Sequence, residues 1–116
     1  MEKFTKRLEE LRRLRDEWDG YGAMSPPKDV LLNVDEFLGE IERRGLNSLL
    51  QEDDIVPTPY GTIDLDFRSD LGLVSVEIGD DGVGYFTEFP GNRENLSQEE
   101  LPLGSEEIYT IIQSLK

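Results

Sequence analysis

Cysteine and histidine are both missing from this chain of 116 residues. Without cysteine there is no disulfide framework, no thiol nucleophile and no zinc–thiolate centre. Without histidine the commonest general base and transition-metal ligand are gone. Catalysis would have to rest on carboxylates, hydroxyls, tyrosine or lysine. Long apolar runs are absent too, since none approaches the roughly 18 residues that mark a membrane-spanning helix. The opening Met1-Glu2-Lys3-Phe4-Thr5-Lys6 is charged where a secretion signal would turn apolar. The expectation is a cytoplasmic chain with no membrane contact, no metal and no cofactor.

Basic charge is scarce: 12 Lys and Arg stand against 26 Asp and Glu, a net charge of -14. The deficit is unevenly placed. Residues 1–19 balance six basic side chains against six acidic ones, so residues 20–116 carry all of it, with 20 acidic and six basic residues. Such a body repels phosphates and anionic membranes and attracts basic surfaces. The expected partner is therefore another protein with a basic surface, and direct nucleic-acid binding is not expected. The oligomeric state is not legible. The length suits one domain, which hides about two-thirds of its unfolded surface and folds without metal or disulfide.

What is present is a change of period along the chain. Phe4, Leu8, Leu11, Leu14 and Trp18 form one helical stripe, predicting a helix over about 2–18 that Asp19-Gly20 closes. Ser25-Pro26-Pro27 reads as a helix start with Ser25 as N-cap. Val30, Val34, Phe37 and Ile41 then mark a second helix, over about 26–45. Leu46, Leu49 and Leu50 read as an apolar tail before the acidic run 51–54, and Ile55 to Gly61 as an edge approach and turn. Thereafter the period is two, with strands over about 62–68, 73–79 and 83–89.

A loop at 69–72 sets Phe67 opposite Val74, Leu65 opposite Val76 and Ile63 opposite Ile78, which puts every apolar side chain on one face. A two-residue Asp81-Gly82 turn would pair Ile78 with Tyr85 and Val74 with Phe89. Residues 90–104 read as a long polar loop, and Ile108, Ile111, Ile112 and Leu115 as the stripe of a last helix, about 105–115, capped by Ser105. The whole predicts an α+β domain: two N-terminal helices, a three- to four-stranded antiparallel β-meander and a C-terminal helix.

Two constellations stand out. The register that buries Ile63, Leu65 and Phe67 turns Asp64, Asp66 and Glu77 outward, with Asp64 facing Glu77. Like charges opposed across strands call for water, a cation or a basic partner to offset them. The residue types suit calcium or magnesium, but the spacing lacks a dense ligand loop. A carboxylate pair could also serve hydrolysis, although no deep pocket is specified. A third reading has the acidic face imitate nucleic-acid phosphate, as phage inhibitors of nucleic-acid enzymes do.

The second constellation is Trp18-Asp19-Gly20-Tyr21-Gly22-Ala23, where Trp18 and Tyr21 are residue types favoured at interface hot spots. This corner, with Pro57-Thr58-Pro59-Tyr60-Gly61-Thr62-Ile63 further on, resembles a group of small bacterial proteins of uncharacterised function. These share a Trp-Asp-Gly-Tyr-Gly-Ala corner and a Pro-Thr-Pro-x-Gly-x-Ile strand entry. The likeness spans about residues 8–88. It implies a bacterial or phage source and a helix-plus-meander fold, and it brings no activity or catalytic residue with it. The sequence thus predicts a non-enzymatic, acidic interaction module, antitoxin-like, immunity-like or accessory, with Trp18, Tyr21, Asp64, Asp66 and Glu77 as partner-binding candidates.

Overall fold

A computed structural model describes residues 2–91 and 93–116. Helix α1 spans Glu2–Arg12 and α2 Lys28–Arg43, followed by a short 3-10 turn at Asn47–Leu49. Strands β1 (Leu50–Pro57), β2 (Ile63–Ser69), β3 (Gly72–Ile78), β4 (Val83–Glu88) and β5 (Ser97–Leu101) precede α3 (Glu106–Gln113). The strands form one antiparallel sheet in the order β1-β2-β3-β4-β5. The fold is α+β, with five strands instead of three or four.

The β2–β3 register follows the hydrophobic pattern, with Phe67 opposite Val74, Leu65 opposite Val76, Ile63 opposite Ile78 and Asp64 opposite Glu77. Apolar residues of this face pack against Phe4, Leu8 and Leu11 of α1, the Val30–Ile41 stripe of α2, and Ile108, Tyr109 and Ile112 of α3 in one core. Among the described residues no helix lies on the opposite face, which holds Asp64, Asp66, Glu77 and the exposed Phe86.

The β3–β4 hairpin differs from expectation by a shift of two residues. Ile78 pairs with Val83, Val76 with Tyr85 and Val74 with Thr87. The Gly79 N–H donates to the Gly82 carbonyl at 2.9 Å, so Asp80 and Asp81 form the tip. A shift of two preserves the faces, which is why the apolar pattern could not reveal it.

Two strands escaped the period-two reading. In β1 the pairing slips between Leu50 and Ile55, which are five apart and yet both buried. The extra residues bulge outward and carry the acidic run, with Asp54 reaching Arg68 at 3.4 Å. In β5 no apolar alternation exists, because polar groups hold it. Thr87 and Leu96 share three bonds, the Thr87 N–H to the Leu96 carbonyl (2.9 Å), the Leu96 N–H to the Thr87 hydroxyl (2.7 Å) and a longer one from that hydroxyl to the Leu96 carbonyl (3.4 Å). Asn95 accepts from the Phe89 N–H at 2.8 Å. Gly82 and Gly84 admit the β5 backbone, since a Cβ on either would lie 3.1 Å from a β5 carbonyl.

The first helix stops at Arg12, not at residue 18. Acidic side chains beyond it accept from the backbone of the connector at Tyr21, Ala23 and Ser25 and so tie residues 16–25 into a turn. Asp16 accepts from both the N–H and the hydroxyl of Ser25 at 3.0 Å. Ser25 is thereby spent, and α2 starts after Pro27 with no side-chain cap. Ser105 does precede α3, also without a cap bond.

Candidate functional site

The segment after α1 is a densely bonded corner. Asp19 Oδ1 accepts from the N–H of Tyr21 (2.8 Å) and of Ala23 (3.1 Å). Trp18 Nε1 donates to the Met24 carbonyl at 3.0 Å, and the Glu17 N–H to the Ala23 carbonyl at 2.6 Å. Glu17 itself is left at φ 64, a conformation a non-glycine residue adopts only when its surroundings hold it there. Gly20 and Gly22, at φ 79 and 86, supply the remaining reversals.

A second turn, between β1 and β2, is built with equal care. The Tyr60 N–H donates to the Thr58 hydroxyl (3.2 Å), and the Thr58 N–H to the Thr62 carbonyl (3.0 Å). The two turns are joined: the Met24 N–H donates to the Pro59 carbonyl at 2.9 Å, and Met24 bridges Tyr60. Gly61, at φ 84, takes the left-handed conformation this turn requires, which L side chains rarely adopt. The two sequence segments that carry the resemblance thus meet at one place in the fold.

This frame holds three large apolar side chains out in water. Tyr21 is 92% exposed, Tyr60 79% and Met24 53%. Trp18 is half-buried and bonded inward, so it serves as a brace for the corner and Tyr21 as its outward face. Tyr60 and Met24 were not read from the sequence. The signal for Tyr60 was its place after two prolines at a turn; Met24 had none, since its position depends on a contact 36 residues away.

The acidic candidates lie together on the uncovered sheet face that continues from this turn. Thr62, two residues after Tyr60, donates to Glu77 Oε2 at 2.7 Å and lies 2.6 Å from the Thr58 hydroxyl. Asp66 accepts from Ser75 Oγ at 2.6 Å and from Arg68 at 3.2 Å. The Asp64 carboxylate, unlike these two, accepts no side-chain hydrogen bond among the described residues, although its backbone pairs within the sheet. Partial burial, with Glu77 and Asp66 beside it, pushes its carboxyl up to about 6. Phe86, across Ser75 from Asp66, adds an exposed ring to this face.

Chemically, the arrangement offers aromatic surface next to carboxylates. Glu77 and Asp66 are each turned toward their own donors, and among the described residues no group of three His, Cys, Asp or Glu is placed to hold a metal ion. Asp64, half-buried between two like charges, is the group that gains most from an incoming cation. No helix of the described chain is long and apolar enough to cross a membrane. Compared with known protein families, curated proteins and solved structures, the chain matches none of them.

Proposed function

We propose that this chain is a non-enzymatic interaction module that docks a basic protein segment across the aromatic corner and the adjoining acidic strip. The observation that carries the reading is the corner itself. Tyr21, Tyr60 and Met24 are exposed on turns fixed by side-chain and backbone bonds, and large apolar groups held rigidly in water favour a binding role over a packing one. Tyrosine faces accept Lys and Arg side chains, and Asp64 and Glu77 supply the negative field alongside. An antitoxin-like, immunity-like or accessory role fits such a surface.

Affinity capture from the source organism tests this, with the intact chain and a Tyr21→Ala/Tyr60→Ala double variant as paired baits. The expected result is a stoichiometric basic protein retained by the intact chain and lost with the variant. Equal recovery by both baits, or no partner at all, would overturn the reading. If the partner is a nuclease displaced by DNA and by salt, the acidic strip dominates, as in phosphate mimicry. Retention at high salt points to the aromatic corner instead.

A further inference from the structure

A different feature lies on the helical side. Between α2 and the turn leading into α3 is a cleft of about 560 Å³, within the range of small-molecule sites. Its apolar surfaces come from Phe37, Ile78, Val83 and Leu103, and its polar rim includes Arg43 and Tyr109.

Tyr109 is 6% exposed as a whole, and its hydroxyl, which bonds no side chain or backbone group named here, is not itself a buried orphan, since among the described residues no buried side-chain oxygen lacks a partner. Other buried or braced aromatics find partners: Tyr85 donates to Glu107 at 2.8 Å and Trp18 to Met24 at 3.0 Å. The Tyr109 ring is locked, stacked on Phe37 at 5.5 Å with the Arg44 guanidinium 4.2 Å above it. Burial pushes its pKa up from the ordinary tyrosine value, so the hydroxyl keeps its proton and can donate.

Gly39 also lines the cleft. It sits inside α2 without the positive φ that would require glycine, in a place where alanine is ordinarily preferred. A Cβ there would touch only the Arg43 guanidinium, at 3.5 and 3.9 Å. The missing side chain therefore leaves space on the cleft wall. Arg43 is 69% exposed and bonds one carboxylate, Glu40, at 2.7 Å. Glu40 also holds Arg44 at 2.8 Å, so it stays paired if Arg43 turns away. Two of the six basic residues in the acidic body line this one cleft.

We propose that the cleft between α2 and α3 binds a small carboxylate with an apolar body, Arg43 and the Tyr109 hydroxyl donating to the carboxylate. The remaining acidic side chains on the rim are engaged or peripheral: Asp35 is paired with Arg12 at 2.9 Å, and Glu36 is exposed. The Tyr109 hydroxyl and the Arg43 N–H groups that Glu40 leaves open are therefore the donors next to the apolar surfaces. This site is separate from the aromatic corner, and neither proposal depends on the other.

The test uses 4-phenylbutyrate, 4-phenylbutan-1-ol and 4-phenylbutylamine as probes of one shape and three charges, followed by amide chemical shifts of the full chain. The carboxylate is expected to shift Gly39, Arg43 and Tyr109 and to bind most tightly, the amine least. Arg43→Gln, at an exposed position, should weaken the carboxylate about tenfold and leave the alcohol unchanged. Gly39→Leu should fill the cleft and abolish both while keeping the fold, read from unchanged dispersion elsewhere. Amine binding as tight as the carboxylate, carboxylate affinity unaltered by Arg43→Gln, or no shift at these residues would overturn the proposal.

Discussion

Tyr21 and Tyr109 are the same side chain held in opposite ways. Tyr109 is stacked between Phe37 and Arg44 with its ring out of water, while Tyr21 has its backbone tied by Asp19 and its ring left in water. In the first case rigidity comes from packing around the ring. In the second it comes from hydrogen bonds beneath it, and the ring contributes nothing to the core. The difference teaches where to look for binding energy: a ring that stabilises nothing and is still positioned is available to a partner.

That contrast can be broken from either side. Phe37→Ala removes the ring on which Tyr109 stacks and is expected to cost about 3–5 kcal/mol in urea denaturation. A loss below about 1 kcal/mol would mean the Tyr109 stack is not structural. Asp19→Ala deletes the acceptor for two backbone N–H groups and should cost about 1–2 kcal/mol, with faster amide exchange at Tyr21 and Ala23.

Asp64→Asn works in the other direction. In the folded chain this carboxyl lies at about 6 against an ordinary 3.8, so the folded state holds its proton more tightly. Stability attached to that proton is full below pH 4 and lost as pH rises through 6. The variant should therefore be more stable than the intact chain by roughly 1 kcal/mol at pH 7, after allowing for solvent screening, and equal to it at pH 3. Thermal melts at the two pH values check the sign. Smallest of all, Tyr21→Ala and Tyr60→Ala should leave stability within about 0.5 kcal/mol while removing partner binding.

How much of this was legible depended on the kind of interaction. Strands β2 and β3 were readable to the residue because both alternate strictly and a one-residue slip would have buried Asp64 and Glu77. Strand β1 was hidden by a bulge that spoils its period, and β5 because Thr87, Asn95 and two glycines hold it in place of apolar side chains. The end of α1 was misread because Leu14 and Trp18 continue the helical spacing, whereas Asp16 and Asp19 bond elsewhere. Of the candidate site, the sequence pointed to Trp18, Tyr21 and the three carboxylates. It could not show that Tyr60 and Met24 join them, since one bond between residues 24 and 59 decides it.

The sheet has one further consequence, for kinetics. Its strands pair strictly in chain order, so each new ladder closes across a short connection and pays little loop entropy. Strands added one hairpin at a time leave few long-lived unpaired edges during folding. The two edges that persist at the end are guarded: Arg7 Nε donates to the Ile55 carbonyl at 2.8 Å on β1, and β5 carries Glu99 and a kink at Glu100, where φ is 58. These groups oppose edge-to-edge pairing of the sheet with other chains.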